Sequence, residues 1–436
     1  MAPSGFTLLF AFALVASFGV KLWLATRQMR HVAAHRDAVP SPFDASVTLA
    51  AHRRAADYTL ARGRLGLLST AVGTAVVLGW TLLGGLDALN GALLAAFGPA
   101  GDGVRAMLYQ LALLAAFALI GGLLDLPFDL YRTFGVEQRF GFNRMTWRLY
   151  LADAARGVLL AVVIGLPLAA LVLWIMAAAG GLWWLWAWAA WVGFQLLMLV
   201  LYPTVIAPLF NRFEPLADDA LRTRVQALMA RCGFAAKGLF VMDGSRRSAH
   251  GNAYFTGLGA AKRVVFFDTL LDKLTPGEVE AVLAHELGHF RHRHVAKRIA
   301  AMSLLSLAAL ALLGWLASQP WFYLGLGVVP NLGAPNDALA LLLFALALPP
   351  FVFLLAPVAA WLSRRHEFEA DAYACANADG RDLASALLKL HQDNATTLTP
   401  DPLYVRFYYS HPPAGERLAA LQRHGAGPTP PLPEPA

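Results

Sequence analysis

The stretch Thr275–Ser318, TPGEVEAVLAHELGHFRHRHVAKRIAAMSLLSLAALALLGWLAS, carries a capped helix, a metal-binding pattern and a membrane span in immediate succession. Thr275 can cap the helix, Pro276 suits its first turn and Glu278 is the reciprocal capping partner. Inside it stands His285-Glu286-Leu287-Gly288-His289. Two imidazoles four residues apart share one helix face, the spacing that grips a single tetrahedral metal, and Glu286 beside the first can reach a metal-bound water. A basic run follows directly, with Arg291, His292, Arg293, His294, Lys297 and Arg298, and then the apolar segment Ile299–Ser318, long enough to cross a bilayer. Such a run is foreign to hydrocarbon, so the metal motif is expected at the membrane surface and not within a span.

Outward from this junction, further apolar runs lie near Phe6–Ala25, Leu65–Leu86, Ala106–Leu126, Gly157–Ala178, Leu182–Tyr202 and Ala338–Leu362, which makes seven expected spans. The first lacks a basic leader and a small-residue cleavage site, and reads as an uncleaved anchor. Gly165 and Pro167 do not veto the fourth, because neighbouring spans can satisfy freed backbone groups. Basic residues alternate between the connections. Arg27, Arg30, Arg36, Arg53, Arg54, Arg62 and Arg64 fall in the first, and Arg132, Arg139, Arg144, Arg148 and Arg156 in the third, whereas Ala179–Gly181 and Gln319–Asp337 carry no Lys or Arg. The N-terminus is therefore expected outside, with the segment from about Pro203 to Arg298 and the tail from Ser363 in the cytoplasm.

The composition agrees. Of 436 residues, 58% are hydrophobic and 14% charged, with 12 Trp and 26 Phe, which excludes a soluble, disordered or collagen-like chain. The net charge of +7 belongs to membrane-flanking loops, and nothing in it argues for nucleic acid as a partner. Cys232 and Cys375 are too few for a disulfide framework or a thiolate cluster, so any metal must use His and carboxylates.

The polar insertion between spans five and six reads as a helix (Ala217–Arg231), three strands (Gly238–Met242, about Asn252–Thr256, Arg263–Phe267) and the capped helix. A catalytic zinc needs a third protein ligand and an open position. After the seventh span, Ser363-Arg364-Arg365-His366-Glu367-Phe368-Glu369-Ala370-Asp371-Ala372-Tyr373-Ala374 reads as a helix continuing that span into the cytoplasm. Glu367 and Asp371 are one turn apart. One could bind metal while the other accepts the free N–H of a ligand histidine; spacing does not say which, and His366 and Glu369 are rivals.

Six ordered stretches resemble the integral-membrane type I CAAX prenyl proteases, zinc metalloendopeptidases of the gluzincin kind: EQRFGFN (Glu137–Asn143), YPTVIAPLFNRFEPL (Tyr202–Leu216), HGNAYFTG (His250–Gly257), HELGH, SRRHEFEADAYA and SHPPAGERL (Ser410–Leu418). The HtpX family shares the zinc motifs but is shorter with fewer spans. The resemblance implies one Zn2+ held by His285, His289 and Glu367, Glu286 as general base, and Asp371 as partner of a ligand histidine. It implies an edge strand at Asn252, Ala253 and Tyr254 that holds a peptide by its backbone, and His411 and Arg417 near the metal, where a donor could stabilise the oxyanion. Gly251 stands where relatives often have Ser.

The expected architecture is mainly α: a polytopic membrane protein with about seven transmembrane helices around a chamber, plus a zincin-like α+β cytoplasmic catalytic domain. The expected divisions are 1–202 (five spans), 203–298 (the HELGH segment), 299–362 (spans six and seven), 363–424 (third ligand and His-Pro-Pro) and 425–436 (a Pro-rich disordered tail). Substrates would be peptides or proteins, lipid-modified or membrane-associated, with membrane lipids as further partners. The Ala- and Arg-rich composition points to a bacterial inner membrane. The competing readings are a quality-control protease of the HtpX kind and a non-catalytic zinc scaffold or transporter. A transporter would be expected to place ionisable ligands near the bilayer midplane, where only Asp125 and Asp129 come close.

Overall fold

Among the described residues, seven helices are long and apolar enough to span a bilayer: Pro3–Ala34, Leu49–Trp80, Gly103–Glu137, Trp147–Ala178, Gly180–Phe210, His294–Leu316 and Asp337–Asn377. They are numbered spans 1 to 7 below. The computed structural model describes residues 1–41, 43–98, 103–234, 238–256 and 263–424. The expected tail at 425–436 and Gly257 lie outside these residues.

Every expected span falls on one of these helices, but several helices outrun their apolar windows. Span 2 begins at Leu49, where the Thr48 side chain accepts from the Ala51 N–H, so its first four turns are polar and precede the apolar window. It ends at Trp80 and not near Leu86. Gly84 takes a left-handed conformation (φ 77°), and a short helix, Gly85–Phe97, which the sequence reading did not separate, follows it. Span 4 absorbs Pro167 by widening into a π-helical turn at Ala161–Gly165 just before it. Span 7 is 41 residues long. At about 1.5 Å per residue it reaches roughly 60 Å, twice a hydrocarbon core of about 30 Å, so its second half stands clear of the membrane.

Neighbouring spans pack in chain order, and span 7 closes the ring against span 1. Spans 1 and 7 bury residues along their length, but in spans 2 to 6 burial is confined to the ends. In span 3 it covers Ala106, Tyr109, Gln110 and Leu113, and then only Val136; span 5 buries Trp183 and Ala187, and then only Ala207; span 6 buries His294, and then only Leu313 and Leu316. The middles of spans 2 to 6 bury no residue at all. A filled bundle would bury one face of each helix along its length, so the space inside this ring is unfilled, as the expected chamber requires.

The polar insertion forms a four-stranded sheet of β1 (Phe213–Pro215), β2 (Gly238–Met242), β3 (Ala253–Thr256) and β4 (Arg263–Phe267) in the order β1-β2-β4-β3. β2 and β4 are parallel, and the outer pairs are antiparallel. Strand β1 escaped the sequence reading because three residues ending in Pro show no alternation. It is held on by β2, whose Leu239 carbonyl accepts from the Leu216 N–H. One face of the sheet packs Val264 and Phe266 against the helix Asp219–Arg231 and the motif helix Pro276–Arg291, which share a core of Val225, Leu228, Leu283 and Leu287.

Candidate metal centre

The motif helix starts as its sequence requires. Thr275 Oγ1 accepts from the Glu278 N–H, and the Thr275 N–H donates to Glu278 Oε2 (2.7 Å). Its inner face lies along the helix Ala356–Asn377, the C-terminal end of span 7. The contact depends on Gly288: a Cβ there would sit 2.9 Å from the Ala370 Cα and 3.1 Å from its carbonyl oxygen. That approach brings together residues more than eighty positions apart in the chain.

At the contact, His285 Nε2 lies 3.5 Å from Glu367 Oε2, and His289 Nε2 lies 3.4 Å from Glu367 Oε1. The three ligand atoms, one from each residue, fall within 4.8 Å of one another. Ligands about 2.1 Å from a tetrahedral ion are separated by about 3.4 Å, so these spacings suit a shared small cation better than direct hydrogen bonds. Glu367 Oε2 is buried with no hydrogen-bond partner among the described residues, and a bound cation would satisfy it. The donor set therefore fits a metal ion.

Behind the triad, His285 Nδ1 meets Asp371 Oδ1 at 2.8 Å, and Asp371 is gripped by Arg417 through Nε (2.8 Å) and Nη2 (2.5 Å). Asp371 is 1% exposed and Arg417 6%, so this is a buried, bidentate ion pair. Burial alone would lower the His285 pKa, but Asp371 and Glu367 outweigh it and hold it up at about 9. Of the two carboxylates that the sequence left interchangeable, Glu367 faces both Nε2 atoms and Asp371 faces Nδ1. Arg417 reaches the cluster as well: Nε and Nη2 bond Asp371, while Nη1 lies 3.7 Å from Glu367 Oε2.

His411, in the Ser410–Pro413 turn, approaches from the opposite side, with Nε2 3.5 Å from Glu367 Oε1 and its side chain 65% exposed. Glu286 is half-buried next to His285. The rival ligands go elsewhere. Glu369 Oε2 meets His294 Nε2 at 2.9 Å, His294 Nδ1 meets His289 Nδ1 at 2.9 Å, and His366 stacks on the His294 ring with centroids 3.9 Å apart. His294 was read only as part of a basic membrane flank. The break after the motif helix turns it back: Arg293 adopts a left-handed conformation (φ 57°), costly for a residue with a Cβ, and His294 opens span 6 facing His289. The repeated histidines at 289, 292 and 294 were the available signal, but linear spacing does not reveal such a reversal.

Strand β3 occupies a sheet edge. The Phe267 N–H donates to the Asn252 carbonyl (3.0 Å), and Tyr254 pairs with Val265. Antiparallel pairs alternate, so the Ala253 N–H and C=O point away from β4 to the free edge. There the Ala253 N–H is taken by Asn252 Oδ1 (2.9 Å). The Tyr254 side chain turns to Met242 and Phe267.

Two family models cover nearly all of the chain. "CAAX prenyl protease N-terminal, five membrane helices" matches residues 28–212, and "Peptidase family M48" matches residues 215–424. The CAAX prenyl protease 1 homolog of Arabidopsis thaliana is 35% identical over 76% of this chain and 77% of its own, and the human homolog is 31% identical over 82% of each. CAAX prenyl protease 1 of Saccharomyces cerevisiae is 35% identical over 73% of each. The crystal structure of S. mikatae Ste24p superposes with a TM-score of 0.88 at 29% identity, covering 95% of this chain and 99% of that one. Two family models end to end, curated relatives matched over most of their length and a shared fold agree, and the chain is a member of the M48 peptidases of the CAAX prenyl protease 1 family, an integral membrane metalloprotease.

Proposed function

We propose that His285, His289 and Glu367 hold one zinc ion, that Glu286 is the general base, and that the catalytic domain faces the cytoplasm of a bacterial inner membrane. The observation that carries this reading is the tetrahedral spacing of the three ligands around a buried, unbonded Glu367 oxygen, with Glu286 adjacent in the helix. When bound, zinc would polarise the scissile carbonyl and lower the pKa of a water. Glu286 takes the proton from the attacking water and passes it to the leaving amine. Ligation through Nε2 leaves each imidazole its Nδ1–H to donate, from His285 to Asp371 and from His289 to His294, which in turn donates from Nε2 to Glu369. Arg417 holds Asp371 in place, and His411 on the open side donates to the developing oxyanion.

The peptide would lie along β3, bonded to the backbone of Ala253 beside Asn252, which makes recognition depend on main chain more than side chain. The relatives are named for CAAX prenyl substrates; by likeness this chain would act on membrane-associated peptides, removing the C-terminal tripeptide of prenylated CAAX proteins. The orientation rests on the Arg-rich first and third connections.

The test is peptide cleavage by detergent-purified protein compared with Glu286→Gln, using farnesylated and unmodified versions of one peptide. One zinc per chain in both proteins, with cleavage reduced about 10²- to 10⁴-fold in the variant, is expected. Equal, zinc-independent cleavage by both would overturn the assignment, and equal rates on the two peptides would remove prenyl specificity alone.

A further inference from the structure

The stretch Glu137–Arg144, which closes span 3, has no part in the chemistry above, yet it lies against the residues that lead into β3. Glu137 Oε1 accepts from the Tyr58 hydroxyl of span 2 at 2.6 Å, and Glu137 Oε2 faces His250 Nε2 at 3.6 Å. The other nitrogen of His250 meets Asn394 Oδ1 at 2.9 Å, and its ring stacks on Phe142 with centroids 4.4 Å apart and planes at 20°. The backbone is held as well. The Ala249 N–H donates to the Phe142 carbonyl (3.1 Å), the Arg144 N–H to the Arg247 carbonyl (3.1 Å), and Asn143 bridges to Ser248. The loop is self-bracing, because the Glu137 carbonyl accepts from the N–H groups of both Phe142 and Asn143.

Strand β3 has four residues and, among the described residues, pairs on one side only. A short edge strand of this kind holds its outward groups in register only if something fixes the chain entering it, and His250 stands three residues before Ala253. We propose that Glu137 is a positioning residue for peptide binding: anchored to span 2 through Tyr58, it holds His250, and with it the outward-facing backbone of Ala253, in the conformation that accepts an added strand. The inference rests on the reading that β3 holds the substrate. Its physical basis is preorganisation, since an edge already ordered need not be ordered by the incoming peptide.

The test is steady-state kinetics on a fluorogenic peptide in detergent, with zinc content, for Glu137→Gln, Glu137→Ala, Tyr58→Phe and Ala253→Pro. Glu137 and Tyr58 stand apart from the metal ligands, so the Glu137 and Tyr58 variants are expected to keep one zinc per chain and a kcat within about twofold. KM is expected to rise about tenfold for Glu137→Ala and less for Glu137→Gln and Tyr58→Phe, which keep part of the brace. Hydrogen exchange of the amides at 248–254 should quicken in step. Ala253→Pro removes the outward N–H while leaving the ladder to β4, so it tests the edge strand itself. If it raises KM while the Glu137 and Tyr58 variants do not, the brace is overturned and the edge strand stands. If Ala253→Pro leaves KM unchanged, the edge-strand reading falls and the brace with it. A fall in kcat with loss of zinc in both Glu137→Gln and Tyr58→Phe would make Glu137 a general structural residue and overturn the proposal.

Discussion

Replacing Gly288 by Ala tests the geometry of the metal centre without touching a ligand. In the middle of an ordinary helix this change is favourable by about 1 kcal/mol. Here the new Cβ would lie 2.9 Å from the Ala370 Cα, 3.1 Å from the Ala370 carbonyl oxygen and 3.1 Å from the Tyr373 Cβ. Carbon atoms prefer about 3.5–4.0 Å, so the two helices must part by roughly 0.6–1.1 Å. Two of the three clashing atoms are backbone, so no side-chain rotation relieves them. Metal ligands tolerate displacements of only about 0.2 Å, and Glu367 stands on the helix that moves. The overpacking strain, about 1–3 kcal/mol, can relax when no metal is bound but returns when the three ligands close on an ion. That corresponds to zinc binding weaker by about 5- to 150-fold. The assay is competition with a calibrated zinc chelator, with Gly157→Ala as control because a Cβ at Gly157 meets nothing within 4 Å. Zinc affinity within twofold of the parent protein would refute the claim that this contact sets the ligand spacing.

Arg417→Ala strands Asp371 and Glu367 as buried charges and should lower unfolding stability by about 3–5 kcal/mol; a loss below about 1 kcal/mol in denaturant titration would show that the pair is replaceable. His411→Gln should leave zinc content and stability alone, since the side chain is exposed, while kcat falls about 10²- to 10³-fold; an unchanged kcat would remove it from the chemistry. The His285 pKa of about 9 means that a metal must displace a proton, so zinc affinity should rise about tenfold per pH unit from pH 7 to 9, and a flat profile would contradict this. Because that pKa lies above the ordinary 6.5, chelated protein should keep the stability contributed by His285 below pH 6.5 and lose it as the pH rises through 9.

Linear pattern was a sufficient guide wherever the physics is local. Span positions depend on runs of apolar side chains, the start of the motif helix on Thr275, Pro276 and Glu278, and the paired imidazoles on a helical period, so all three could be read from neighbours in the chain. Strand β1 and the helix Gly85–Phe97 could not, because one is too short for periodicity and the other continues an apolar run that only the turn at Gly84 interrupts.

The sequence by itself determined a polytopic membrane chain with a two-histidine metal motif at the membrane surface and a carboxylate pair beyond the last span. Tertiary structure decided which imidazole nitrogens each carboxylate faces. Glu367 and Asp371 are equivalent by spacing, and only the approach of two helices at Gly288 directs the first to both Nε2 atoms and the second to Nδ1. It also set Arg417 against both Asp371 and Glu367, and the reversal at Arg293 carries His294 to His289. Each of these depends on the direction in which a side chain leaves a helix and on what a distant segment packs there, and residue spacing along a chain encodes neither.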